Sequence, residues 1–137
     1  MATTPDVDVA TRLGAAGIGL TLGTNLFAGP VRAYVDGTVP HQSVFCLATG
    51  GPPPEPFCGD PTNKDFRRSK VQVRTRSNLE DFDGGQTLTR NTRNAIHKAS
   101  VVGYVDVEVL ESEPNYLGKD EDGHHEWSIN VELMHRE

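Results

Sequence analysis

The segment Trp127-Ser128-Ile129-Asn130-Val131-Glu132-Leu133 decides the fold, because apolar and polar residues alternate along it without interruption. A period of two places the apolar residues on one face of a β-strand and the polar residues on the other. Upstream, Val105, Val107 and Val109 alternate with other residues and predict a second half-buried strand. The intervening segment, Glu111 to His124, is too long for a tight hairpin, and its charged residues, Pro and Gly predict a loop.

The length of 137 residues predicts one domain, spanning residues 1–137, because this is close to the commonest domain size. No segment reaches the roughly 18 apolar residues that span a bilayer, so we expect no membrane partner. The opening MATTPDVDVATR contains acids and no basic cluster before an apolar run, so no secretory signal is expected. Without an export signal, Cys46 and Cys58 are expected to be reduced thiols, although a disulfide across twelve residues is possible.

Two helices and several further strands are predicted upstream of the alternating segment. Thr4-Pro5-Asp6 predicts a helix start, with Thr4 as the cap, and the following glycines predict an end near Ala16. A turn over residues 25–30 is expected to lead into an edge strand over residues 31–35. A second helix is expected after a turn at residues 83–85. Its apolar stripe comprises Leu88, Ala95, Ile96 and Ala99.

The middle of the chain predicts the remaining strands. The continuous apolar run Ser43 to Ala48 favours a central strand buried on both faces. The prolines that follow predict a loop through Asn63, and the segment Val71 to Arg76 predicts a strand with a basic polar face. Uneven strands and two helices together predict an α+β fold, with a mostly antiparallel β-sheet and both helices packed on one face.

Charge is distributed unevenly along the chain. The net charge is −3 over residues 1–63, +5 over residues 64–98 and −8 over residues 99–137. Such opposed surfaces could pair between copies of the chain in a ring or stack. A solvated surface with chance clustering of charge is the alternative. The candidate subunit-interface residues are Arg67, Arg68, Lys70, Arg74, Arg76, Asp106 and Glu108.

The segment Asp120 to Glu126 is the one cluster of residues that resembles a metal site. Its acids suit calcium, and His124 and His125 suit zinc or nickel. Its spacing does not fit an EF-hand loop, because Ile129 stands where the final Glu would be. Adjacent histidines on a strand point to opposite faces and do not readily bind one ion. A solvated acidic hairpin tip is therefore favoured, and no metal is predicted.

Other candidate chemistry is also weak. The glycines at positions 14, 17 and 19 follow a helix and lack the Lys-Ser/Thr of a phosphate loop. Cys46, with His41 nearby in sequence, lies in an apolar run where thiols are usually inert. The basic stretch around Phe66 has no platform of several aromatic rings for nucleic acid. We therefore predict no catalytic residue and no cofactor.

Several segments resemble, in order, those of tailed-bacteriophage tail terminators and minor capsid, or head–tail joining, proteins. At the start these are the first helix followed by Gly17-Ile18-Gly19-Leu20, and residues 25–30. In the middle, Ser43 to Ala48 runs into Thr49-Gly50-Gly51-Pro52-Pro53. At the end, residues 114–121 precede the strand that begins at Trp127.

The resemblance implies a virion protein that acts without catalysis. Such proteins form a ring, typically of six copies, that ends the tail tube and joins the head connector or stopper protein, leaving a channel for DNA. It implies assembly in the host cytoplasm and a location at the tail or neck. The candidate tube-contact or neck-contact residues are Pro52, Pro53, Pro54, Phe57, Tyr116, Leu117, Asp120 and Glu121. Another connector or tube subunit, or a small metal-dependent enzyme that uses residues 120–126, are the alternatives.

Overall fold

The computed structural model describes residues 4–29, 40–53, 55–56 and 65–136. The elements formed by these residues are α1 (Pro5–Gly14), β1 (Leu26–Ala28), β2 (Ser43–Gly50), β3 (Glu55–Pro56), β4 (Asp65–Leu79), α2 (Phe82–Ile96), β5 (Asp106–Val109), β6 (Asn115–Lys119) and β7 (His124–Arg136). The strands form one sheet in the order β1-β2-β4-β7-β5, while β3 pairs with β4 and β6 pairs with β7. Among the strands of the described residues, only β1 and β2 pair in parallel, so the predicted α+β class with a mostly antiparallel sheet is confirmed.

The long strands β4 and β7 form the centre of the sheet. They pair antiparallel over almost their whole length, with Val71 opposite Val131 and Val73 opposite Ile129. These four side chains are fully buried on one face, whereas the polar residues between them lie on the other face. The alternation predicted from residues 127–133 is therefore confirmed.

Both helices pack on the apolar face of this sheet. Val9 and Leu13 of α1 are fully buried, one helical turn apart. The buried residues of α2 are mostly small or polar: Gly85, Thr89, Thr92 and Ile96. The predicted stripe is therefore only partly right, since Leu88 and Ala95 are half-buried and Ala99 lies beyond the end of the helix. Small residues let α2 approach the sheet closely.

The first turns of the two helices explain where they begin. Asp81 is the N-cap of α2, and its carboxylate accepts a hydrogen bond of 3.0 Å from the Gly84 N–H. The predicted turn at residues 83–85 is consequently wrong, because these residues form the first turn of the helix. Thr4 is at the N-cap of α1 as predicted, although its side chain makes no capping hydrogen bond. That helix ends at Gly14, two residues before the predicted end.

Three segments predicted as turns or loops contain strands. Residues 26–28 form β1, whereas the predicted edge strand at residues 31–35 lies outside the described residues. The predicted loop through Asn63 contains β3, which pairs with the start of β4. The predicted loop from Glu111 to His124 contains β6, because the chain returns along β7 and pairs Tyr116 with Trp127.

The burial of side chains decides two further predictions, one on the alternating valines before residue 110 and one on Cys46. Val107 and Val109 face the core as expected, but Val105 is 69% exposed and precedes β5, so its predicted place on the buried face is wrong. Cys46 is a fully buried free thiol, and its burial raises its pKa far above the ordinary range. The thiol is therefore protonated and unreactive. Cys58 lies outside the described residues.

Candidate functional site

The basic side chains of β4 form a row on the sheet face that is not covered by helices. Arg68, Lys70, Arg74 and Arg76 occupy alternate positions, between core-facing residues such as Val71 and Val73. Arg67 is exposed and has the opposite parity, so it lies on the helix-bearing side of the sheet. The predicted basic set is thus divided between the two faces.

Most of the row already has partners within the chain. Arg68 lies 3.4 Å from the Glu132 carboxylate, and Arg74 lies 3.2 Å from the Glu126 carboxylate. Arg76 donates hydrogen bonds to the carbonyl oxygens of His41 and Pro40, at 2.9 and 2.6 Å. Exposed ion pairs of this kind stabilise a protein by less than about 1 kcal/mol each. Among the described residues, Lys70 makes no ion pair.

The acidic pair lies on the same sheet face as this row. Across the sheet, Lys70 is opposite Glu132, which in turn is opposite Glu108. Asp106 and Glu108 share the ammonium of Lys98, at 3.3 and 2.6 Å. The hydrogen bond that Lys98 donates to Glu108 is the main reason that the pKa of Lys98 is raised. The basic and acidic sets therefore lie on one sheet face, two strands apart, and their pairing between copies stays a prediction.

A cavity lies beside the start of this row. It has a volume of about 290 Å³ and lies between the β2–β3 loop and the first half of β4. A Cβ on Gly51 would collide with the Arg68 carbonyl oxygen, so only glycine lets the loop approach β4 this closely. The cavity lining is Pro5, Ala48, Gly50, Gly51, Pro52, Arg67, Arg68, Ser69 and Lys70. We call this part of the molecule the cavity end.

An acidic turn joins β6 to β7 at the opposite end of the sheet, which we call the turn end. Asp120 accepts hydrogen bonds from the backbone N–H groups of Asp122 and His124, at 2.9 and 2.8 Å. Burial acts to raise the pKa of Asp120, but the hydrogen bonds from His124 and its charge lower it below the ordinary value. Glu121 and Asp122 are exposed at the tip. The turn is therefore rigid, with two carboxylates facing solvent.

Three hydrogen-bonded polar side chains, in series, hold this turn in place. Asp120 Oδ2 lies 2.9 Å from His124 Nδ1, and His124 Nε2 lies 2.9 Å from His41 Nδ1. His124 is only 4% exposed, and His125 lies on the other face against the aromatic residues, as the sequence predicted. The His41–His124 contact joins residues 83 positions apart, and no signal in the sequence indicates it.

These contacts also explain the cluster that resembled a metal site. Ligand atoms of Asp120, Asp122 and His124 lie within 4.8 Å of one another. Both carboxylate oxygens of Asp120 are occupied by hydrogen bonds from Asp122 and His124, however. The cluster is thus accounted for as the hydrogen-bonded frame of a turn.

Aromatic residues surround the base of the turn end. Phe82 contacts Tyr116, His125 and Trp127, with ring centroids 5.3–5.4 Å apart. Trp127 is buried, whereas Tyr116 and the neighbouring Leu117 are each about half exposed. This cluster fixes β6 against the first turn of α2 and presents apolar surface beside the acidic turn.

The predicted contact residues therefore lie at two separate ends. Pro52 and Pro53 are exposed at the cavity end, and Tyr116, Leu117, Asp120 and Glu121 lie at the turn end. Pro54 and Phe57 lie outside the described residues. Gly50 is opposite Lys70, and His124 is opposite Leu79, so the two ends are separated by nine residues of β4. At 3.3 Å per residue this separation is about 30 Å.

Comparisons with known proteins give a likeness to a solved structure. Neither helix in the described part of the chain is long and apolar enough to cross a membrane. No protein-family model and no curated protein sequence matches the chain. Among solved structures, it is similar to a chain from the virion of a native gene transfer agent particle, with a TM-score of 0.64 and 11% identity over 97% of this chain and 95% of that chain. At this identity, the likeness shows a common fold that spans almost the full length of both chains.

Proposed function

We propose that this protein is a structural component of a phage-like virion, forming a ring at the top of the tail tube. The ring ends polymerisation of the tube protein and presents a joining surface to the head connector or stopper protein. We propose six copies around a channel through which DNA passes. The full-length likeness to a chain of a gene transfer agent virion supports a place in such a particle.

The observation that carries this proposal is the separation of two exposed contact surfaces along one rigid pair of strands. A protein that joins two partners needs one surface for each, held at a fixed distance. The cavity end and the turn end meet this requirement, because β4 and β7 pair between them for about 30 Å, with one register shift between Arg76 and Leu79. One end would then contact the tail tube and the other the neck.

The chain performs no catalysis in this proposal. The buried thiol of Cys46 is protonated, and the Asp120–His124–His41 chain is used to brace a turn. DNA makes only weak contacts with the channel, to which the acidic last third of the sequence would contribute by repelling phosphate. A nanomolar affinity for duplex DNA would contradict this part of the proposal.

The proposal is tested by assembling the cognate tail tube protein with and without this chain. Light scattering coupled to size-exclusion chromatography should detect a ring of about six copies, alone or with tube protein. Tubes grown with the chain present should stop lengthening at substoichiometric amounts, whereas a same-sized acidic protein should have no effect. Unchanged tube growth would contradict the role as terminator.

The main alternative is another tube or connector subunit of a phage or contractile-tail system. The same likeness to a virion chain supports it, because that likeness does not distinguish positions in the particle. Such a subunit would polymerise into long tubes or incorporate along their whole length. Tight uptake of a divalent metal together with turnover of a small substrate would instead favour the enzyme alternative.

A further inference from the structure

Two histidine rings meet at the turn end. His41, which precedes β2, places its Nδ1 atom 2.9 Å from Nε2 of His124, and the ring centroids are 5.1 Å apart. His124 is only 4% exposed, whereas His41 is exposed. We call these two residues the histidine pair. The contact between them joins the segment before β2 to the β6–β7 turn.

The second ring nitrogen of His124 determines which atoms of the pair carry hydrogens. Asp120 Oδ2 lies 2.9 Å from His124 Nδ1. Burial acts to raise the pKa of Asp120, but its hydrogen bonds to His124 lower it below the ordinary value, so the carboxylate is ionised above about pH 4. An ionised carboxylate only accepts hydrogen bonds, so Nδ1 of His124 carries a hydrogen. The Nε2 atom of His124 is then the one that His41 contacts.

The histidine pair can hold one added proton but not two. With both rings neutral, His41 Nδ1–H donates to His124 Nε2. With one added proton, His124 Nε2–H donates to His41 Nδ1, and the hydrogen of His41 is on its Nε2 atom. With two added protons, two N–H groups face each other across 2.9 Å and neither has an acceptor. The contact must then break.

Among the described residues, charged side chains lie around the pair on each neighbouring element. They are Asp120 and Asp122 in the turn, Arg76 on β4, Glu126 on β7, and the Glu80–Lys119 ion pair beside the turn. Their charges act on the first and the second added proton alike. The opposition of the two ring N–H groups acts on the second proton alone, so it is this contact that makes the pair sensitive to acid.

We propose that the histidine pair is an acid-sensitive switch at the turn end. It is closed while the pair holds at most one added proton, and it opens when each ring holds its own. Histidine side chains typically gain a proton between about pH 8 and about pH 5, so the switch opens within that range. The opening is local, because Arg76 still holds the carbonyl oxygens of His41 and Pro40. In the proposed ring, on which this consequence rests, the turn end would bind its tube or neck partner less tightly in acid.

The test compares the full-length wild type with His41→Asn and His41→Ala. The amide of His41→Asn can either donate to His124 Nε2 or accept from it, so this variant should keep the contact at every pH. His41→Ala removes the contact at every pH. The control His97→Asn changes a histidine whose Nδ1 accepts a hydrogen bond from the Val109 N–H. Circular dichroism establishes that each variant is folded.

Nuclear Overhauser contacts between residue 41 and the His124 ring are measured by NMR at about pH 8 and about pH 5. The wild type and His97→Asn should lose these contacts in acid, whereas His41→Asn should keep them. Stability is measured with urea over the same range. The closed pair excludes one proton that the unfolded chain binds. The folding equilibrium constant of the wild type should therefore fall relative to that of His41→Asn, by up to about tenfold per pH unit.

Three results would overturn the switch. They are a wild type without the ring contact at about pH 8, a contact that persists at about pH 5 with both rings doubly protonated, and parallel stability profiles of the wild type and His41→Asn. These measurements use the chain without tube or neck protein, so failure of the switch and failure of the proposed ring are separate results. Capping of tail tubes should weaken in acid for the wild type more than for His41→Asn, and equal weakening would contradict the consequence for the partner.

Discussion

Replacing Gly85 by Ala tests how closely α2 packs on the sheet and holds the turn end in place. A Cβ at Gly85 would lie 2.5 Å from the Ser77 Cβ and 2.5 Å from the Trp127 Cζ3 atom. Both neighbours are buried, so neither can move into solvent. Overpacking a core costs about 1–3 kcal/mol, and Ala recovers up to about 1 kcal/mol of helix propensity. Two clashes with rigid neighbours put the cost near the upper end, so we expect a net loss of about 2 kcal/mol.

The chain offers a matched control in the other helix. A Cβ at Gly14 would lie 3.7 Å from Leu26 Cδ2, which is ordinary contact, so Gly14→Ala should leave stability unchanged or raise it by up to about 1 kcal/mol. Urea unfolding should give a lower midpoint for Gly85→Ala with an unchanged slope. Its melting temperature should fall by about 7 °C. A Gly85→Ala protein as stable as the wild type would refute the packing argument.

Two further predictions concern single hydrogen-bonded carboxylates. Asp81→Ala removes the cap on the Gly84 N–H and should lower the free energy of unfolding, measured with urea, by about 1 kcal/mol. A loss below about 0.3 kcal/mol would contradict the role of the cap. The pKa of Asp120 is lowered in the folded protein, so its carboxylate stabilises the folded state at pH values above the unfolded-state pKa of about 3.9. This contribution disappears as the pH falls through the folded-state pKa. The stability advantage of the wild type over Asp120→Asn should therefore shrink as the pH falls below about 4 in acid titrations, and an advantage that does not shrink with falling pH would count against the assignment.

The sequence predicts the sheet well where each face of a strand has a different environment. Residues 127–133 alternate cleanly because one face contacts the helices, whereas the other face carries the polar residues Ser128, Asn130 and Glu132. The strand β6 has no such pattern, since its residues are mostly exposed and it is held by pairing with β7 and by Tyr116 against Trp127. The apolar pattern of the sequence does not predict the buried face of α2, because that face consists mostly of Gly and Thr. These small residues allow close packing, but they are not hydrophobic enough to stand out in the pattern.

The candidate surfaces were predicted as separate loops, but not their arrangement. The register of β4 with β2 and β7 places the β2–β3 loop and the β6–β7 turn at opposite ends of the sheet. This register is a property of the tertiary structure and is not visible in the sequence. The same register places Glu132 between Lys70 and Glu108, so charges that look opposed along the sequence share one sheet face. The contact between His41 and His124 depends on this folding as well.

The most direct test of the proposed role is electron microscopy of tail tubes assembled with a labelled copy of this chain. We predict one labelled ring of about six copies at one end of each tube and none along its length. Label distributed along the tubes, or absent from both ends, would contradict a ring that ends the tail.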